Sequence, residues 1–169
     1  FDDADLGVIR SSDVDYRATI DDPRVADVRI LRPQEIPRYV AEGMFDLGIT
    51  GRDWIEETAV DVHTLTELHY SKATARPIRV VLAVAADSGV QSVAELPATG
   101  LRVQTEYPEL TKRYFARHGI DAQVTLSYGA TEAKVPDIAD AVGEITETGR
   151  ALRAAGPRII DTVSSTHPT

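Results

Sequence analysis

Cysteine is absent from the 169 residues, which excludes a disulfide framework and a thiolate metal site. The four histidines, His63, His69, His118 and His167, show no ligand-like spacing, so the protein is expected to hold no metal site of its own. No apolar run approaches the roughly 18–20 residues that span a bilayer. The first residues include Asp2, Asp3 and Asp5, where a secretory signal carries basic groups. A cytoplasmic protein without a membrane partner is therefore expected. Positive charge is also scarce: 18 Lys and Arg against 27 Asp and Glu leave a formal net charge of −9. That sign argues against a nucleic-acid partner, whose phosphates need a basic stripe. It leaves small anionic ligands open, because helix N-termini, a few arginines and a ligand-borne Mg²⁺ hold phosphate inside an acidic protein.

The hydrophobic content of 43 % is enough to build one domain or two small lobes. Short runs rich in β-branched residues at 28–31, 46–49, 80–85, 101–104, 123–127, 141–145 and 158–163 read as buried strands. Amphipathic stretches at 35–42, 53–58, 108–118, 135–139 and 150–155 read as helices. Their alternation predicts an α/β protein with largely parallel sheets. The polar text AADSGVQSVAELPATG at 85–100 suits a crossing between lobes. The expected division places 1–85 and 156–169 in a first lobe and 86–155 in a second, with the strand at 158–163 returning to the first and a cleft between them.

Two segments repeat one plan. FDLGITGRDWIEE (45–57) and DAVGEITETGRALRAA (140–155) each read as a strand, a Thr-Gly turn and a helix. The glycine lets backbone N–H groups converge, and the helix points its positive end at whatever sits there. Strand, turn and helix recur in every α/β protein, so the repeat alone does not carry a function. In the second copy Glu144 closes the strand, and Thr146, Glu147, Thr148, Gly149 and Arg150 lead into the helix. A ribose phosphate needs this set: the carboxylate accepts from sugar hydroxyls, while threonine hydroxyls and backbone N–H groups hold the phosphate. The competing reading makes Thr148 a simple N-cap and Glu147 a helix-dipole partner, and composition leaves both open. Gly149 is expected in a turn exposed at the cleft, where a β-branched side chain would fill the phosphate's own volume. Arg32, beside Pro33 at the end of a predicted strand, suits a bidentate phosphate contact or a surface salt bridge. Lys72 and Arg79 are weaker phosphate candidates, and Tyr107 reads as a base-stacking ring or as a packing aromatic.

The stretch YGATEAKVPDIADAVGEITETGRALRAAG (128–156) resembles the phosphoribosyl-pyrophosphate segment of ATP phosphoribosyltransferases. ILRPQEIPRYVAEGMFDLGITGRDWIEE (30–57), YSKATARPIRVVLAV (70–84) and LRVQTEYPELTKRYFARHGIDAQV (101–124) resemble the same family in the same order. The resemblance implies a two-lobed fold like type II periplasmic binding proteins, with the active site in the cleft. It implies a magnesium-dependent reaction in which adenine N1 of ATP attacks C1 of phosphoribosyl pyrophosphate, pyrophosphate leaves and configuration inverts, at the entry to histidine biosynthesis. Carried onto this sequence, Glu144, Thr146, Thr148, Gly149, Arg150 and Ala151 form the phosphoribosyl loop. Arg32, Thr50 and Gly51 line the ATP side, Tyr107 lies near the adenine, and Glu132 joins Glu144 at the reacting centre. Mg²⁺ is expected on the substrates, and a homo-oligomer is the expected assembly, with any regulatory subunit left undetermined. The competing functions are a non-catalytic two-lobed receptor for a small anion and an inactive fragment of the enzyme. Family members open with a further strand and a basic turn and continue beyond the equivalent of Ile160, so the chain reads as part of a longer protein. Ala151 stands where a second hydroxyl residue often follows, which leaves one phosphate contact without its donor, and Pro157 replaces a usual leucine.

Overall fold

The computed structural model describes residues 4–68 and 78–166. The chain forms two compact units, Phe1–Val62 and His63–Thr169.

The first unit opens with three short antiparallel strands, β1 (Val8–Ile9), β2 (Arg17–Ile20) and β3 (Val28–Arg29), in the order β1-β2-β3. Charged side chains brace both connections. The Arg10 guanidinium donates to the carbonyls of Asp13 (2.6 Å) and Asp15 (2.7 Å), and the Asp22 carboxylate accepts from the Arg24 backbone N–H at 2.8 Å. Two helices follow, α1 (Ile36–Ala41) and α2 (Arg52–Thr58). Pro37 sits in the first turn of α1, where its missing N–H costs no hydrogen bond. Residues 46–49, expected as a strand, form no strand. Their apolar run has no partner ladder among the described residues, and Gly48 instead lies against α1, where a Cβ would come 2.5 Å from Ile36 Cγ2 and 3.0 Å from Val40 Cγ2.

The second unit is a five-stranded mixed sheet of β4 (Ile78–Val84), β5 (Thr99–Thr105), β6 (Asp121–Leu126), β7 (Ala141–Thr146) and β8 (Arg158–Thr166), in the order β6-β5-β7-β4-β8. β5 runs parallel to β6 and β7, and β4 antiparallel to β7 and β8. The parallel β5–β6 pair has the helical crossover that such a pair needs, supplied by α3 (Pro108–Arg117). That helix buries Leu110, Thr111, Tyr114 and Phe115. A short helix, α4 (Arg150–Ala154), joins β7 to β8. Val81, Ala83, Val142 and Leu152 form a buried cluster, and residues 80–85 are buried without alternation, as befits a strand covered on both faces.

Three expectations are corrected here. The sheets are not mostly parallel: one is antiparallel throughout and the other is mixed, because burial patterns mark strands but carry no sign for their direction. The expected lobe boundaries also shift. β4 and β8 do not belong with residues 1–62; Val81 pairs with Glu144 and Val84 with Arg158, so both strands complete the sheet of β7. The helix expected at 135–139 is replaced by a single 3-10 turn at Thr131–Lys134, since Pro136 holds the residue before it in extended backbone. No helix among the described residues is long and apolar enough to cross a membrane.

Candidate functional site

β7 fits closely against β5. A Cβ on Gly143 would come 2.6 Å from Thr105 Oγ1 and 3.0 Å from Thr105 Cβ, so only glycine lets the two strands lie at this distance. The next residue, Glu144, is half-buried near the end of the strand. Burial pushes its carboxyl up to about 7, and the negative charges of Glu132 and Glu106 add to the effect. A hydrogen bond with Glu132 raises it further, whereas one from Thr131 lowers it. The Glu144 carboxyl can thus donate to a hydroxyl when protonated and accept from one when ionised. Glu132 comes from the 3-10 turn, which starts after Ala130 in the left-handed conformation (φ 47°). It also lines a cavity of about 410 Å³ that opens beside Ala85, Asp87 and Pro157.

Beyond β7 the chain turns on hydroxyl groups. Thr146 Oγ1 accepts from the Gly149 backbone N–H at 2.6 Å, Thr148 Oγ1 accepts from the Arg150 N–H at 3.3 Å, and Arg153 donates to the Thr148 carbonyl at 2.8 Å. The residue capping α4 is Gly149, at φ 71° and ψ 1°, so Thr148 is not the cap itself but holds a helix N–H from one position earlier. Arg150 and Ala151 are exposed. The expectation for Gly149 is corrected: it is buried, and a Cβ there would come 2.7 Å from Ile159 Cδ1 and 3.3 Å from Arg153 Nη1. The fold itself demands glycine at this point.

In the first unit Thr50 Oγ1 donates to the Pro33 carbonyl at 2.7 Å, which ties the Arg32–Pro33 segment to the Thr50–Gly51 turn. Arg32 is exposed, and its guanidinium makes no ion pair among the described residues. The surface salt-bridge reading therefore has no partner there. Gly51 caps α2, and a Cβ on it would collide with the Asp53 carboxylate, so a negative group already lies at that helix end. Tyr107 is 2 % exposed, and its backbone N–H donates to Thr105 Oγ1 at 3.0 Å. A ring this enclosed presents no open face to a base, and of its two readings the packing aromatic is the one that the structure displays. Arg79 stands opposite Thr146 in the β4–β7 ladder. Lys72, His69 and His167 lie outside the described residues.

The structure thus brings Glu132 to Glu144 and gathers Thr146, Thr148, Gly149, Arg150 and Ala151 in one turn, while Arg32, Thr50 and Gly51 belong to the other unit. Sequence reasoning missed Glu106 and Thr131, which also act on Glu144. For Glu106 a signal was available, namely a carboxylate at the C-terminal end of a strand, as at Glu144 itself.

The family model described as "HisG: ATP phosphoribosyltransferase" matches residues 32–168. The ATP phosphoribosyltransferase of Chlorobaculum parvum is 49 % identical over 148 residues, which cover 88 % of this chain and 49 % of that protein. The ATP phosphoribosyltransferase of Nitratidesulfovibrio vulgaris is 48 % identical over 160 residues, 94 % of this chain and 54 % of that protein. The chain spans about half the length of the curated relatives it matches. Among solved structures, an ATP phosphoribosyl transferase (HisG:HisZ) complex from Thermotoga maritima superposes with a TM-score of 0.73 over 95 % of this chain and 73 % of that one, at 23 % identity, a likeness of fold. With most of its length matched by one family model and by relatives at nearly half identity, the chain belongs to the ATP phosphoribosyltransferase family.

Proposed function

We propose that this chain carries the catalytic region of an enzyme that transfers the phosphoribosyl group of phosphoribosyl pyrophosphate to N1 of ATP, releasing pyrophosphate, in the first step of histidine biosynthesis. The observation that carries this reading is the hydroxyl-braced turn that closes β7 just beyond the half-buried carboxylate of Glu144. Thr146 and Thr148 each spend an oxygen lone pair on a backbone N–H. Their own O–H protons remain to be donated, and phosphate oxygens are acceptors. Arg150 adds positive charge beside the turn. Glu144 lies in β7 two residues before the strand ends at Thr146, where it takes the ribose hydroxyls while the turn takes the 5′-phosphate. Arg32, with Thr50 and Gly51, is the ATP side of the reading, and Tyr107 supports it only as packing.

Adenine N1 is already a nucleophile, so the reaction needs alignment and charge stabilisation more than a base. As the bond from C1 to pyrophosphate breaks, positive charge grows on the ribose, and the Glu132–Glu144 pair supplies negative charge to that side. Mg²⁺ belongs with the substrate phosphates, where it neutralises the leaving group. The overall arrangement is read as two lobes of the periplasmic-binding-protein type, working as a homo-oligomer in the cytoplasm.

The test mixes the full-length protein with ATP, phosphoribosyl pyrophosphate and Mg²⁺ and follows phosphoribosyl-ATP by its absorbance. Product formation that disappears in Glu144→Ala supports the proposal. Binding of phosphoribosyl pyrophosphate without product identifies a receptor, and neither binding nor product identifies an inactive remnant.

A further inference from the structure

Behind Glu144 lies a chain of hydrogen bonds that the reaction as described does not use. Lys134 Nζ donates to Ser127 Oγ at 2.6 Å and reaches Gln104 Oε1 at 3.5 Å. Ser127 Oγ is 2.7 Å from Thr131 Oγ1, and Thr131 in turn stands beside the Glu144 carboxyl, where its hydroxyl favours the ionised form. Ser127 and Thr131 are 3 % and 2 % exposed, so water does not compete for their hydroxyls. The Ser127 N–H donates to the Thr105 carbonyl at 2.8 Å, which anchors the chain to the end of β5.

The direction of every proton in this chain follows from its first member. An ammonium has three donors and no lone pair, so Ser127 Oγ must accept from Lys134. The single Ser127 hydroxyl proton is then free to go forward, to Thr131 at 2.7 Å rather than to the Gly129 carbonyl at 3.4 Å. Thr131, having accepted, has its own proton free to turn toward Glu144. Each link points at the carboxylate and favours its ionised form. Two groups oppose it: Glu132 from the 3-10 turn and Glu106 from the end of β5 both face Glu144 with like charge. Its ladder partner on β4 is the apolar Val81. The chain from Lys134 is therefore the counterweight to two carboxylates and to burial.

We propose that Lys134, through Ser127 and Thr131, is a positioning residue that keeps Glu144 oriented and available as a hydrogen-bond acceptor for the ribose hydroxyls of the substrate. The inference rests on the assignment of Glu144 to the ribose, and two readouts keep the failures apart. The first is the titration of the Glu144 carboxyl, followed by carbon NMR in full-length protein without substrate and assigned with Glu144→Gln. Lys134→Met and Thr131→Val are each expected to raise its midpoint by about one pH unit, a tenfold change in proton affinity. Thr131→Ser, which keeps the hydroxyl, is expected to leave it in place. The second readout is calorimetric affinity for phosphoribosyl pyrophosphate against pH. Lys134→Met should bind about fivefold more weakly than the parent at pH 7, as the ionised fraction of Glu144 falls from about one half to about one eleventh, with the gap closing as pH rises past the new midpoint. Lys134 is only partly buried, so this variant remains informative if Thr131→Val fails to fold. An unchanged Glu144 midpoint in Lys134→Met overturns the proposal. A shifted midpoint in a protein whose parent form does not bind phosphoribosyl pyrophosphate upholds the hydrogen-bond chain and overturns the ribose assignment.

Discussion

Gly149 separates two demands on one residue, and its substitution tests both. The backbone at φ 71° lies in the left-handed region, which costs an L-residue about 1–2 kcal/mol. A methyl group there would also come 2.7 Å from Ile159 Cδ1. That atom is the far end of a flexible side chain, so relief by a rotamer adjustment adds about 0.5–1.5 kcal/mol. Gly149→Ala is therefore expected to destabilise the protein by about 1.5–3.5 kcal/mol, the sum of these two costs. For a chain of this size each kcal/mol lowers Tm by roughly 2–4 °C. Gly149→Val adds a branched chain against the same Ile159 and the Arg153 guanidinium, and overpacking of this kind costs roughly another 1–3 kcal/mol. Denaturant unfolding and calorimetric binding of phosphoribosyl pyrophosphate, measured on one preparation of full-length protein, give both quantities. Folded Gly149→Ala should bind much more weakly, because the N–H that Thr146 now orders would shift. Stability within about 0.5 kcal/mol of the parent, the usual range for a surface change, would refute the packing argument. Unchanged affinity in a folded variant would refute the phosphate role of the turn.

Three further outcomes follow from other parts of the structure. Gly143→Ala is expected to cost about 1–3 kcal/mol by overpacking, because its Cβ would meet the buried Thr105 side chain; denaturant unfolding that shows no loss would mean that β5 and β7 are not as close as described. Glu144 has a folded pKa of about 7 against 4.5 for the free group, so the folded state holds its proton more tightly and stability falls as pH rises between these values. That fall should flatten in Glu144→Gln, and pH-dependent unfolding curves of equal slope for both proteins would refute it. Arg32→Ala should leave stability unchanged within about 0.5 kcal/mol and weaken ATP about 10- to 100-fold while sparing phosphoribosyl pyrophosphate, as loss of a charge-assisted phosphate contact would; equal losses for both ligands would show another role.

What the sequence determined by itself is local. The β-branched run that became β7, the amphipathic run that starts at Pro108 and became α3, and the Thr-Gly turn before α4 were all legible, because periodicity and turn chemistry depend on residues within a few positions of each other. β1 and β2 were missed because strands of two and four residues are too short for a period to show. The family likeness pointed to Glu132 and Glu144 as partners. The other groups that act on Glu144 were left to the tertiary structure. The order β6-β5-β7 places the end of β5, with Glu106, and the turn after β6, with Ser127, Thr131 and Lys134, around the end of β7. That order is settled by which strands bury each other's faces, a non-local choice that no short window of residues encodes. The same holds for Tyr107, whose type allowed either stacking or packing until the fold buried it. It holds for Gly149 as well: the turn chemistry was readable along the chain, but Ile159, the neighbour that excludes a side chain, arrives only when β8 folds back beside β4.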